Sequence, residues 1–140
     1  MNYQVELLID APFEKVATLY VDLNLMPIWE IGLKSIEHTE KHLFETNSKG
    51  IFHFEFGEHK MPMKVSVEKN DLPYQIIQIF EVPGAWNRCD NHFLDRGEQT
   101  LWQMDVTFKF ENDMNLPLER FVEKTKASMT VFKTFAEKDQ

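Results

Sequence analysis

The chain has 140 residues, 43% of them hydrophobic and strongly aromatic, with twelve Phe, three Trp and seven Met, and its formal net charge is −8. That length suits one domain over 1–140 with a core that needs no disulfide or metal staples, and the single cysteine, Cys89, excludes an intramolecular disulfide and any multi-cysteine zinc or redox motif. The acidic balance and the lack of a basic run exclude a nucleic-acid partner, whose phosphates demand a concentrated Lys/Arg footprint.

The opening stretch MNYQVELLID sets Tyr3, Val5, Leu7 and Ile9 against Asn2, Gln4 and Glu6, the period of a strand with one buried face, ending near Asp10. It has neither the cationic region nor the apolar length of a secretion signal. No segment reaches membrane-spanning length, so the expected setting is cytoplasmic, without integral membrane association. Pro12 suits the first turn of a helix, where its missing N–H would be unpaired anyway, which places Asp10 or Ala11 at the cap. Asp10 is chemically the better capper. Phe13, Val16, Ala17 and Tyr20 recur at helical spacing, leaving Glu14, Lys15 and Thr18 for solvent, and this helix should end around Asp22. Pro27 then interrupts NLMPIWEIGL, a short second helix or turn anchored by Met26, Ile28, Trp29 and Ile31 and closed by Gly32.

From Leu33 to Phe110 the texture changes to strand-sized runs: LKSIEH, GIFHFEF, MPMKVSVE, YQIIQIFEV, WNRCDNHFL and TLWQMDVTFKF. The breaks NSKG, GEHK, NDLP, VPG and DRGEQ all carry turn residues, and their close succession leaves no room for crossover helices, so the strands are antiparallel neighbours in a meander. In the last strand Trp102, Met104, Val106, Phe108 and Phe110 share one face, and Phe52, Phe54 and Phe56 alternate likewise with His53 and Glu55. Beyond them Leu118, Phe121, Val122, Thr125, Met129, Phe132 and Ala136 fall within one helical arc. A helix of some twenty residues is about 30 Å long, enough to cross a sheet and cover its apolar face. The order is strand, two helices, six strands, long helix.

With that order, the chain resembles the START-like superfamily, also called the Bet v 1-like or helix-grip fold, and most of all its bacterial polyketide cyclase/dehydrase and lipid-transport-like (SRPBCC) members. The matching pieces are IDAPFEKVATLYVDL at the strand-to-helix junction, MPIWEIGLKSIE with Trp29 ahead of the second strand, MKVSVEKNDLPYQII around a proline turn, and GEQTLWQMDVTFKF before the closing helix. The resemblance implies an α+β fold, a seven-stranded antiparallel sheet curved around the C-terminal helix, with a cavity between them reached past the first two helices. Family members hold hydrophobic or amphipathic small molecules there, and some add catalysis.

On the concave face so inferred, Phe54, Phe56, Met63, Phe80, Trp102, Met104, Phe121, Met129 and Phe132 are lining candidates, joined by Trp29. The alternative is that they interdigitate into a solid core. Thr125 stands in the middle of the closing helix's apolar arc; either its hydroxyl bonds its own helix carbonyl or it faces ligand or cavity water. The phase of AWNRCDNHFLDR is open: one face shows Trp86, Arg88, Asp90, His92 and Leu94, the other Asn87, Cys89, Asn91 and Phe93. If the first face points inward, Arg88, Asp90 and His92 line up at about 7 Å steps, and a neutral imidazole beside a carboxylate is an acid/base couple. Trp86, Arg88 and His92 would then also contact the ligand. If it points outward, it is a solvated polar face.

No metal or cofactor is expected. His38 and His42 share helical spacing but sit in a strand-and-turn context, while His53, His59 and His92 lack ligand spacing. No phosphate loop, dinucleotide fingerprint or nucleophile elbow is present. Three functions follow in order: a noncatalytic module binding a lipid-like, aromatic or polyketide-like molecule; a metal-free cyclase or dehydratase in the same cavity, moving protons with His92, Asp90 or Arg88; and a chaperone-activator-like protein-interaction module, which would need an exposed apolar patch.

Overall fold

A computed structural model of the chain describes residues 1–38 and 43–138; His42 lies outside the described residues. The elements are β1 (Asn2–Ile9), α1 (Phe13–Tyr20), α2 (Met26–Trp29), β2 (Leu33–His38), β3 (Lys49–Phe56), β4 (His59–Asp71), β5 (Gln75–Val82), β6 (Ala85–Arg96), β7 (Gln99–Phe110) and α3 (Leu118–Ala136). All seven strands form one antiparallel sheet in the order β1-β7-β6-β5-β4-β3-β2. The meander from β2 to β7 is what short turns permit, and β1 closes the far edge on β7. Since β1 and β2 occupy opposite edges, α1 and α2 must carry the chain from one edge to the other.

The junction at Pro12 differs in detail from the sequence expectation. Pro12 is the N-cap residue itself, extended at φ −64° and ψ 148°, and its carbonyl accepts the Val16 N–H at 3.0 Å. Asp10 does not cap the helix; its backbone N–H donates to the Glu137 carboxylate at 2.7 Å, tying the start of the chain to the end of α3. Helix α1 stops at Tyr20, two residues short of Asp22. Gly32 adopts φ +84° after α2, and a Cβ there would meet the Phe56 ring at 2.5 Å, so only glycine lets this turn close under that ring.

One sheet face is continuous and largely apolar. Tyr3, Val5, Leu7 and Ile9 of β1 lie opposite Val106, Met104, Trp102 and Thr100 of β7, whose inward set in turn meets Cys89, Asn91 and Phe93 of β6. The same face continues through Ile76, Gln78 and Phe80, then Val65 and Val67, then Met63 and Met61 with Phe52 and Phe54, ending on Leu33 and Ile36. Helix α3 lies over this face, closest to β1 and braced by α1 and α2. Its C-terminal half buries Met129, Phe132, Phe135 and Ala136. Its N-terminal half is looser: Phe121, Val122 and Thr125 are half-buried, and Leu118 is 42% exposed although it belongs to the same apolar arc.

Candidate functional site

The phase of β6 decides what this sheet can do. Cys89, Asn91 and Phe93 are buried on the α3 side, so Trp86, Arg88, Asp90 and His92 point to the opposite, outer face. The acid/base couple considered for the cavity is therefore not in it, and Trp86, Arg88 and His92 do not line it. The reason is visible in the partners. Arg88 donates Nε and Nη2 to the two oxygens of Glu68 at 3.0 and 2.7 Å, which lowers the Glu68 pKa through that hydrogen bond. Trp86 packs beneath the Lys109 ammonium, 4.7 Å from the ring centre. On the inner face Asn91 satisfies its burial: Trp102 Nε1 donates to its Oδ1 at 3.0 Å, and its Nδ2 donates to the carbonyls of Ile76 and Cys89 at 3.2 and 3.3 Å. A buried amide with its partners in place costs little, so the strand that looked too polar for a core is a core strand.

Beneath the C-terminal half of α3 the concave face is filled. Tyr20 stands at the centre, with its ring 5.4–5.6 Å from those of Trp29, Phe93, Trp102 and Phe132. Trp29 meets Phe132 edge-on at 4.8 Å. The Tyr20 hydroxyl donates to Gln78 Oε1 at 2.8 Å, and burial pushes its pKa well above the ordinary phenol value. Of the candidates, Trp29, Trp102, Met104, Met129 and Phe132 belong to this packed end or its margin. They interdigitate as a core does.

Towards the N-terminal half of α3 the face is not filled. Met61, Met63, Phe80, Phe108, Phe110, Phe121 and Val122 keep part of their surface accessible, and the rings of Phe108, Phe110 and Phe121 stand within 5.3–5.7 Å of one another. Phe52 and Phe54 close the floor, with Phe52 6.4 Å from Phe80. Phe56, 48% exposed, forms the rim. Of the remaining candidates Phe54 is buried, while Phe56, Met63, Phe80, Phe121 and Thr125 keep part of their surface accessible. Thr125 does neither of the two things expected of it. Its hydroxyl shares a 2.8 Å hydrogen bond with Tyr3, whose hydroxyl also reaches the Phe121 carbonyl at 3.4 Å, pinning α3 to β1 beside the opening.

Burial perturbs two further ionisable groups, of which sequence reasoning missed Glu30. Cys89 is buried, its thiol turned to Asn87 Oδ1 at 3.6 Å and its pKa pushed up to about 12 by burial, so it is inert as a nucleophile. Glu30, at the end of α2, has a carboxyl within electrostatic reach of both the Tyr20 hydroxyl and the Cys89 thiol. Desolvation raises its pKa to about 7. The residue as a whole keeps some exposure. The signal was in the sequence: Glu30 is the one acid in the apolar run MPIWEIGL.

The outer face carries two shallow depressions of about 270 and 450 Å³, running across β2 to β5 and bordered by Lys34, Glu55 and Lys60 in one and Glu37, Lys49, Lys64 and Glu81 in the other. Exposed charge rings both, while Phe54, Met61 and Pro62 line the smaller and Ile51 and Val65 the larger. The outer face also gathers Asp90, His92 and Asp105, with one ligand atom from each within 4.8 Å of the others, a grouping that chain spacing did not reveal because Asp105 comes from the neighbouring strand. These carboxylates are engaged: Gln75 Nε2 donates to Asp90 and Gln4 Nε2 to Asp105, each at 2.9 Å, and His92 Nε2 lies 3.1 Å from Asp90.

Solved structures share this architecture. Ara h 8.0201 is 14% identical, with a TM-score of 0.78 over 97% of this chain and 97% of that one. The protein TTHA0849 from Thermus thermophilus is 17% identical, with a TM-score of 0.72 over 97% of each chain. BexL, a di-domain ARO/CYC from the BE-7585A biosynthetic pathway, is 13% identical, with a TM-score of 0.77 over 96% of this chain and 45% of that one. No protein-family model and no curated protein matches the chain by sequence. At such identities the likeness is one of fold, and the fold is the START-like or Bet v 1-like helix-grip fold. Among the described residues no helix is long and apolar enough to cross a membrane.

Proposed function

We propose that the protein binds a hydrophobic or amphipathic small molecule in the concavity between the inner sheet face and the N-terminal half of α3. The observation that carries this reading is the row of apolar side chains left partly accessible there, with Phe80, Phe108 and Phe110 on the inner sheet face and Phe121 of α3 against the last two, while the other end of the same face is closed by packed aromatics under Phe132. Accessible aromatic surface of this kind is unfavourable in water, each half-buried side chain forgoing part of the roughly 1.5–3 kcal/mol that full burial brings, and a lipid-like, aromatic or polyketide-like molecule would cover it. The reading sets the protein in the cytoplasm as a carrier or sensor of that molecule. Its test is direct: extract the purified protein, analyse the organic fraction by mass spectrometry, and titrate the emptied protein with N-phenylnaphthylamine. Retained ligand or saturable fluorescence enhancement is expected; neither one appearing overturns the proposal.

A second reading keeps the same concavity but adds turnover of the cyclase or dehydratase kind. What favours it is Glu30, at the end of α2, whose carboxyl pKa burial raises to about 7, a value general acid/base chemistry can use. It replaces His92 in that role, because His92 lies on the outer face.

A further inference from the structure

We infer that the outer face of the sheet holds a site for a divalent transition-metal ion, with Asp90 and His92 of β6 and Asp105 of β7 as its protein ligands. The site is separate from the concavity and does not depend on it. Asp90 and Asp105 stand directly opposite each other in the β6–β7 ladder, and His92 follows Asp90 two residues along the same strand, so all three side chains share one face. One ligand atom from each lies within 4.8 Å of the other two. Bonds of about 2.0–2.2 Å set the ligand atoms of a tetrahedral zinc ion about 3.4 Å apart, so even the widest pair needs to draw in by only about 1.4 Å.

The imidazole separates this group from an ordinary patch of acids. His92 Nε2 already points at Asp90 Oδ1, 3.1 Å away, and the ion takes the place of the hydrogen between them, which leaves to water. The charges ask for that ion. Like charges directly opposite each other destabilise an antiparallel pair, and the nearby cations are committed: Arg88, opposite Thr107, gives Nε and Nη2 to Glu68, and Lys69 donates to Gln75. A dication neutralises both carboxylates at once. A nitrogen donor beside two carboxylates suits zinc and its transition-metal neighbours, whereas Mg²⁺ and Ca²⁺ take oxygen ligands.

The neighbouring strands hold the ligands in place. Gln75 of β5, opposite His92, donates Nε2 to Asp90 Oδ1 at 2.9 Å while its own Oε1 accepts from Lys69 at 3.1 Å, which fixes the direction of the amide. Gln4 of β1, opposite Asp105, donates Nε2 to Asp105 Oδ1 at 2.9 Å. Outer groups of this kind orient the ligands of metal centres. Both amides bond Oδ1, and among the described residues neither Oδ2 is hydrogen-bonded, so each carboxylate keeps an oxygen for the ion. Asp105 is exposed and His92 half-buried, which leaves the fourth position to water, as in zinc sites with three protein ligands.

The experiment titrates ZnCl2 by calorimetry into the whole protein, stripped beforehand with a chelator. Saturable binding of one Zn²⁺ per chain is expected, with Mg²⁺ far weaker. Gln75→Ala is expected to weaken zinc binding about tenfold, and Asp105→Asn and His92→Ala to weaken it further. Asp105→Asn keeps an oxygen for Gln4 and relieves the carboxylate pair, so without zinc it is expected to melt no lower than the wild type; zinc then raises the melting temperature of the wild type and not of the variant. N-phenylnaphthylamine binding is expected to be the same with and without zinc. No saturable zinc binding by the wild type overturns the inference, as does Mg²⁺ binding of equal strength. Zinc affinity retained within about threefold in both Asp105→Asn and His92→Ala also overturns it, because the ion then sits elsewhere.

Discussion

The two ends of α3 cover the same sheet face differently. At one end Phe132 is fully buried against Tyr20, Trp29 and Trp102; at the other Phe121 leans on Phe108 and Phe110 with water still within reach. Both are Phe-rich and belong to one arc of one helix. The difference is the second layer: α1 and α2 bring Tyr20 and Trp29 under the C-terminal half. Closure at one end supplies the stability that lets the other end remain open.

The contrast is breakable by substitution, beginning where the effect is greatest. Phe132→Ala removes the centre of the packed end and is expected to lower unfolding free energy by about 3–5 kcal/mol, measured by urea denaturation. A loss no larger than that of an exposed-site change would mean that this end is not the closed one. Next comes Glu30. Its folded-state pKa of about 7 lies above the ordinary carboxylate value, so the folded protein holds a proton that the unfolded chain has already released, and stability falls as pH rises through the interval between the two values. Glu30→Gln is thus expected to match the wild type near pH 4 and to exceed it at pH 8 by roughly 3 kcal/mol at most, with the two curves separating between those pH values. Parallel curves would show that the carboxyl is not desolvated.

At the open end the balance reverses. Phe80→Ala is expected to cost only about 1 kcal/mol of stability while weakening N-phenylnaphthylamine binding several-fold, a split that Phe132→Ala cannot give because it damages folding first. The smallest effect belongs to the outer face. Arg88→Ala breaks an ion pair with a largely exposed Glu68 and should change stability by no more than about 1 kcal/mol; with His92→Ala, it should leave probe affinity unaltered. Loss of binding in either would return the outer face of β6 to consideration as the site.

Much of this was legible in the chain. The alternation of Tyr3 to Ile9 and of Trp102 to Phe110, the turn residues between the strands and the arc from Leu118 to Ala136 fix the elements within a few residues, because periodicities of 2 and 3.6 report which side of an element is buried. The candidate lining residues Phe54, Phe80 and Phe121 follow from the same periods. Strand β6 did not yield to this reasoning, since both its faces are polar and a one-residue choice of phase exchanges them.

What the sequence determined by itself is the set of elements, their antiparallel order and the apolar stripe each contributes, for these depend on neighbours a few residues apart. What only the tertiary structure decided is which face of β6 is inward, that Asn91 finds Trp102 there, and that burial raises the Glu30 pKa. The Asn91 outcome depends on Trp102, 11 positions distant in the chain, and no local period records whether a polar group will meet its complement once the sheet has curved around the helix.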